Sequence, residues 1–181
     1  DGMRVLAVET IAGKSRWNFM RAVLRSLTDA GHAVTVFCTP FPDGERDNYT
    51  EVDTSAAFRM KLDVDLVEVL EKFVDPSSML PLIVTVSRSL CDAIFQDDRM
   101  MAAMRPRVDG GSYDMDIIEP MGSECVSHVT AVMGLPLVFV VPLQPMISHF
   151  ERAFLGHVPN PAVESHFMAD HAVPRSFVQR F

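Results

Sequence analysis

The sequence lacks the features that mark several large classes of protein. Its 181 residues include only three cysteines, an odd number without CxxC spacing, so neither a disulfide framework nor a zinc site is indicated. The cysteines lie in apolar segments, and we expect small buried hydrophobic residues at Cys38, Cys91 and Cys125. The longest apolar runs, 79–86 and 135–143, are far shorter than the roughly 20 residues of a membrane-spanning helix.

Basic residues are also scarce. The chain has 16 lysines and arginines against 24 acidic residues, a net charge of −8, which argues against nucleic-acid and anionic-membrane binding. Apolar residues make up 48% and charged residues 22%, enough for a hydrophobic core and typical of a folded protein. The length suits one domain, or a large piece of a two-domain protein.

Several catalytic signatures are missing. The motifs GxGxxG, GxxxxGK[ST], HExxH and GxSxG do not occur, and Gly13-Lys14-Ser15 lacks the upstream glycine of a phosphate loop. Four of the six histidines follow residue 142, at spacings of 8, 9 and 5, so no two are four residues apart on a helix. We therefore predict no metal site at His149, His157, His166 and His171.

Hydrophobic patterning in the first 50 residues predicts a βαβ unit. Residues 3–9 and 33–38 are apolar runs rich in β-branched residues, typical of strands buried on both faces. Between them, apolar residues at helical spacing predict a helix that begins with Ser15 as its N-cap and stops at Gly31. The turn-rich stretch 39–50 is predicted to be a surface loop.

A second βαβ unit is predicted at residues 113–141. Its elements are a strand at 113–119, a helix at 122–133 stopped by Gly134, and a buried strand at 137–141. We also predict a helix at 63–74, a long helix at 77–104, a chain break at 109–112, and short helices and loops after residue 142. The predicted fold is α/β, with a mostly parallel, Rossmann-like sheet flanked by helices and ligands bound at the carboxyl ends of its strands.

Five segments carry a family resemblance: GKSRWNFM (13–20), DAGHAVTVF (29–37), YDMDIIEP (113–120), GLPLV (134–138) and GHVPNP (156–161). In this order they resemble the N-terminal, acceptor-binding half of animal UDP-glycosyltransferases, most closely the arthropod members. The resemblance implies a GT-B architecture, in which an N-terminal Rossmann-like domain holds the acceptor and a C-terminal one holds the UDP-sugar. The proline-rich segment 157–161 favours this family over other GT-B enzymes, such as a nucleotide-sugar epimerase.

The resemblance also implies a domain organisation and a location. Residues 1–181 would form the acceptor-binding domain, and the nucleotide-sugar domain and membrane anchor would be absent from this chain. The implied location is the lumenal side of the endoplasmic reticulum membrane, and Asn48-Tyr49-Thr50 is a glycosylation sequon compatible with it. The implied partners are a small lipophilic acceptor, a UDP-sugar co-substrate (glucose by the arthropod likeness), the protein's own C-terminal domain and a second copy of the chain.

The two implied catalytic positions depart from the family pattern. The family has a base histidine after its first strand and an aspartate at the end of the second unit's first strand; Arg16 and Glu119 occupy these positions here. A guanidinium stays protonated and cannot accept the proton of an acceptor hydroxyl. A cation near a helix N-terminus is also electrostatically unfavourable, so we expect Arg16 to pair with an anion, either Glu119 or Glu9.

Three interpretations of Arg16 stay open. The protein is a transferase that uses another base, such as Glu119, or a reactive acceptor such as a phenol or a carboxylic acid. Alternatively, it is an inactive relative that binds lipophiles or regulates an active partner, or the change has no natural meaning. Candidate acceptor-binding residues, by resemblance, are Gly13, Ser15, Trp17, Phe19, Met146 and Phe150. Helical spacing favours a core role for Phe19 and Met20.

Overall fold

The computed structural model describes residues 2–10, 13–38, 46–56, 76–105, 113–120, 122–142, 156, 160 and 173–180. The chain divides into two compact units. The first comprises residues 1–61 and 83–142, and the second comprises residues 62–82 and 143–181. Among the described residues, no helix is both long and apolar enough to cross a membrane.

The first unit contains a five-stranded, all-parallel sheet in the order β3-β2-β1-β4-β5. Because β1 carries apolar side chains on both faces, it lies in the centre, where neighbours cover both sides. The alternating order along the chain of strands and helices gives the predicted Rossmann-like α/β fold. The strands are β1 (Arg4–Glu9), β2 (Ala33–Cys38), β3 (Tyr49–Asp53), β4 (Met115–Ile118) and β5 (Leu137–Phe139).

Helices cover both faces of this sheet. One face packs against α1 (Lys14–Asp29), which buries Trp17, Met20 and Leu24 against Val5 and Ala7 of β1. The other face carries Leu6 and Val8 and contacts three helices through Leu90, Ile94, Met100 and Val126. These helices are α2 (Pro76–Gln96), α3 (Asp98–Ala103) and α4 (Val126–Met133). The two opposed apolar layers fix the central strand between them.

The predicted helix boundaries are partly wrong. The long helix at 77–104 is two helices, because Asp97 has extended backbone and its carboxylate accepts hydrogen bonds from the Arg99 and Met100 amides, which starts α3. Helix α1 has Gly13 at its N-cap, not Ser15, which already lies in the first turn. The predicted stops are confirmed: Gly31 and Gly134 have φ of +89° and +68°, which glycine adopts without strain.

Two strand predictions also need correction. Part of the expected loop at 39–50 is the start of β3, an edge strand that pairs in parallel with β2 from Tyr49 to Asp53. Strand β5 is not buried as predicted: it is an edge strand, and Val138 is 40% exposed. The predicted helix at 63–74 and break at 109–112 lie outside the described residues, as does most of the chain after residue 142, of which a 3-10 turn at Val178–Arg180 is described.

The expectation for the cysteines is wrong for two of the three. Cys91 of α2 and Cys125, just before α4, form a disulfide across 34 residues of sequence. Only their packing on the same face of the sheet brings them together, with their Cα atoms 6.1 Å apart. Cys38, at the end of β2, is a buried free thiol as predicted.

Candidate functional site

The carboxyl ends of the central strands bring two glutamates to one edge of the sheet. Glu9 is the last residue of β1, and Glu119 follows β4, the neighbouring parallel strand. The Glu119 amide donates to the Val8 carbonyl at 3.2 Å, so the two chains are still side by side at this point. This edge is where open α/β sheets bind their ligands.

Arg16 reaches this edge from the first turn of α1. Its Nη1 lies 3.3 Å from Glu119 Oε1, and their side chains are only 11% and 3% exposed. The expectation that Arg16 pairs with an anion at the sheet edge is thereby confirmed. The pairing also compensates a positive charge at a helix N-terminus whose first turn contains no acidic residue.

Gly13 makes room for this arginine. Its carbonyl accepts the first hydrogen bond of α1, from the Trp17 amide at 2.9 Å. A Cβ atom at Gly13 would lie 3.3 Å from Cδ of Arg16, closer than most side-chain contacts. A larger residue here would therefore press on the stem that carries the guanidinium towards Glu119.

Glu9 is a buried carboxyl group at this edge of the sheet. It is 1% exposed, and neither of its oxygens has a hydrogen-bond partner in the described part of the chain. Burial, together with the nearby charge of Glu119, raises the pKa of Glu9 from 4.5 to about 8, against the opposing effect of Arg16. Near neutral pH, Glu9 is therefore predominantly protonated and takes up or releases its proton at around pH 8.

A buried hydroxyl pair lies beside these charges. The hydroxyls of Thr10, after β1, and Ser123, after β4, are 2.7 Å apart and both are buried. Gly122, with φ of +84°, allows the turn that places Ser123 there. Cys125 follows two residues later, so the disulfide ties this turn to α2.

A further buried acid lies on the opposite face of the sheet. Asp116 of β4 is buried and accepts a hydrogen bond from the Thr130 hydroxyl of α4. Burial raises the pKa of Asp116 to about 6 despite that hydrogen bond. Because side chains alternate along a strand, Asp116 points away from the face that carries Glu119.

The candidate acceptor-binding residues are spread over different environments. Trp17 is 1% exposed and packs in the core beneath α1, so the structure assigns it to packing rather than to an open binding face. Met20 is also core, as expected, but Phe19 is 48% exposed, which contradicts a core role for it. Ser15 is exposed in the first turn, Gly13 is half-buried, and Met146 and Phe150 lie outside the described residues.

Sequence patterns did not single out Thr10 or Ser123, and named Glu9 only as a second partner for Arg16. Each of these residues lies at the end of a predicted strand. That position alone does not indicate a functional role, because many polar residues share it. Within the described ranges, no group of three histidine, cysteine, aspartate or glutamate side chains is placed to hold a metal ion. The site therefore consists of an ion pair, a buried carboxyl group and a hydroxyl pair.

Comparisons with known proteins identify one kind of relative. No family model matches the chain, and no solved structure matches it. The chain is 28% identical over 182 residues to UDP-glucosyltransferase 2 of Dactylopius coccus. The match covers 99% of this chain and 34% of that protein, so the chain spans about a third of the length of this relative. The similarity supports a relationship with the UDP-glycosyltransferases.

Proposed function

We propose that this chain is the acceptor-binding part of an inverting glycosyltransferase, which transfers a sugar from a UDP-sugar to a small lipophilic acceptor. The observation that carries the proposal is the Arg16–Glu119 pair at the carboxyl ends of β1 and β4. These residues occupy the positions that match the catalytic pair of animal UDP-glycosyltransferases. The Rossmann-like sheet and the similarity to UDP-glucosyltransferase 2 along nearly the whole chain support it.

Glucose is the sugar that we propose, from the name of that relative. The donor would bind to a C-terminal nucleotide-sugar domain of the complete protein, which faces this domain across the cleft. No covalently bound cofactor is needed for this chemistry, since the leaving UDP already activates the sugar. Acceptors would be hormones, pigments or xenobiotics, which suits a role in detoxification.

We further propose that the complete protein lies in the endoplasmic reticulum membrane with this domain in the lumen. The Cys91–Cys125 disulfide supports this, because structural disulfides persist in oxidising compartments. The sequon adds support, since Asn48 is exposed in a turn before β3 and is therefore accessible for glycosylation. Association with a second copy of the protein is compatible with the same location.

The test is a transfer assay with the protein expressed from its complete open reading frame in insect cells. Membranes would be incubated with UDP-glucose and a panel of phenols, carboxylic acids and aliphatic alcohols. We expect glycosides of the more acidic acceptors, identified by mass spectrometry and absent from membranes of untransfected cells. A complete lack of products with every UDP-sugar tested would overturn the proposal.

A second candidate function is binding of lipophiles without transfer. The Arg16–Glu119 ion pair favours it, because a guanidinium cannot act as the base and its partner carboxylate is already occupied by a charge contact. The Arg16→His variant separates the two functions. If Arg16 disables the enzyme, this exchange should strongly increase transfer to alcohols and leave acceptor binding nearly unchanged, whereas unchanged rates would reject Arg16 as the disabling residue.

A further inference from the structure

Among the described residues, one basic and two acidic side chains meet at this edge of the sheet. Arg16 supplies one positive charge, and Glu9 and Glu119 supply two carboxyl groups. All three side chains are nearly excluded from solvent. An ionised Glu9 would be a buried charge whose oxygens have no hydrogen-bond partner among the described residues, which is costly. One carboxyl group therefore holds a proton, and Glu9 is the better holder because Glu119 has the contact with Arg16.

We propose that Glu9 and Glu119 form a carboxyl pair that receives the proton of the acceptor hydroxyl, with Glu9 as the member that stores it. This rests on the proposed transferase function and names the base that replaces the missing imidazole. The reacting form is the one in which Glu9 is ionised, and its population grows as the pH approaches 8. In the transfer step, the acceptor O–H bond breaks and its proton passes to the ionised Glu9. The acceptor oxygen bonds to the anomeric carbon, and the bond from that carbon to UDP breaks, with its electron pair leaving on the UDP phosphate.

The surroundings of Glu9 suit this role. Among the described residues, the charged and titratable groups that act on it come from three elements: Arg16 of α1, Glu119 after β4 and the Cys38 thiol at the end of β2. The thiol is uncharged over the physiological range, since burial raises its pKa to about 12. Arg16 is thus the only one of the three that stabilises an ionised Glu9, while Glu119 and burial oppose it. Such a carboxylate binds a proton much more tightly than one in water.

The basicity of the pair also indicates the substrate class. With a pKa of about 8, Glu9 is about a hundredfold weaker as a base than a phenolate, since phenols such as the tyrosine side chain ionise at about pH 10. Aliphatic alcohols are far weaker acids, and a carboxyl pair would assist them much less. We therefore expect phenols to be the preferred acceptors.

The experiment compares Glu9→Gln with the parent protein, both expressed from the complete open reading frame, on two phenols with UDP-glucose. Unsubstituted phenol needs a base, whereas 4-nitrophenol is largely ionised at pH 8 and does not. For Glu9→Gln we expect kcat/KM for phenol to fall by about 10²-fold or more, and that for 4-nitrophenol to stay within about threefold. For the parent, kcat/KM for phenol should rise as the pH approaches 8 and Glu9 is ionised, and Glu9→Gln should lack this rise. Glu9→Asp should restore part of the lost rate and part of the pH dependence.

Two controls separate proton storage from a structural role. Asp116→Asn makes the same chemical change at a buried carboxyl group on the opposite face and should leave both rates and the pH profile unchanged. The melting temperature of Glu9→Gln at pH 8 should equal or exceed that of the parent. Equal losses for the two phenols, or no loss for either, would overturn the carboxyl pair while leaving the transferase intact. A parent protein that glycosylates no acceptor would overturn both proposals.

Discussion

Cys91 and Cys125 join the middle of α2 to the turn that begins α4, two residues after Ser123. The disulfide therefore fixes, from the far side of the sheet, the same turn that contributes a hydroxyl to the site edge. It closes a loop of 34 residues, for which chain entropy predicts a stabilisation of about 4 kcal/mol or less.

Removal of this disulfide should destabilise the protein. For Cys91→Ser/Cys125→Ser we expect a loss of about 2–4 kcal/mol in the free energy of unfolding, measured by urea denaturation. Reductant should lower the unfolding midpoint of the parent and leave that of the double variant unchanged. A Cys38→Ala variant, which alters only the free thiol, should remain sensitive to reductant. Equal midpoints for oxidised and fully reduced parent protein would contradict the prediction.

The Arg16–Glu119 pair should respond asymmetrically to substitution. Arg16→Met removes the cation that pairs with the buried Glu119 carboxylate, so we expect a loss of about 3–5 kcal/mol. The double variant Arg16→Met/Glu119→Gln removes that carboxylate as well and should regain most of that loss. The comparison pair is Arg4–Asp114, which is 3.5 Å apart but about half exposed, so Arg4→Met should cost less than about 1 kcal/mol. Equal costs for the two arginine variants would argue against a buried ion pair.

Stability should also depend on Glu9 in a defined pH window. Its pKa is raised from 4.5 to about 8 in the folded protein, so the folded state binds this proton more tightly than the unfolded state. Its contribution to stability is therefore lost as pH rises from 4.5 to 8, by at most about 1.4 kcal/mol per pH unit. Asp116 acts in the same direction, but only up to about pH 6.

The corresponding measurement is the melting temperature of the parent and Glu9→Gln from pH 5 to pH 9. Between pH 6 and 8, the parent should lose stability relative to the variant, because glutamine has no proton to lose. At pH 5 the two proteins should differ little. Parallel curves over the whole range would show that Glu9 does not titrate in this window.

The sequence predicts most of the sheet, because buried parallel strands are continuous apolar runs with β-branched residues. It does not predict β3, since Tyr49–Asp53 is neither a continuous apolar run nor a strict alternation, and it directly follows Asp47 and Asn48, which favour turns. The helix break at Asp97 is also missed, because the apolar periodicity continues through Met100 and Met104 beyond it. At Asp97, a local polar group changes the backbone within a longer apolar pattern.

The arrangement of the site could be predicted from the sequence only in part. Arg16 and Glu119 were expected to meet because each lies at a predicted strand end or helix start, where topology alone brings residues together. Glu9 lies within the predicted buried strand at 3–9, but the sequence does not predict that its carboxyl group is buried without a hydrogen-bond partner among the described residues. The disulfide depends on the packing of α2 against the turn before α4, which spacing in the sequence does not reveal.

The start of α3 should depend on one side chain. The Asp97 carboxylate accepts hydrogen bonds from the Arg99 and Met100 amides and pairs with the Arg99 guanidinium at 2.8 Å. We expect Asp97→Ala to lower the free energy of unfolding by about 1 kcal/mol, and Asp97→Asn, which keeps a capping oxygen, to cost less. Urea denaturation measures both. A comparable loss for Asp98→Ala, whose side chain does not cap α3, would contradict the assignment of the cap to Asp97.

Asn48 should carry a glycan when the protein passes through the secretory pathway. It is exposed, and its φ of +58° suits asparagine better than most residues, so substitutions here can strain the turn. Thr50→Ala is therefore the cleaner test, because it removes the sequon and leaves Asn48 in place. We expect the parent to lose mass on treatment with an N-glycosidase, and Thr50→Ala and Asn48→Asp to migrate like the treated parent. If the untreated parent already migrates like Thr50→Ala, the sequon is not used.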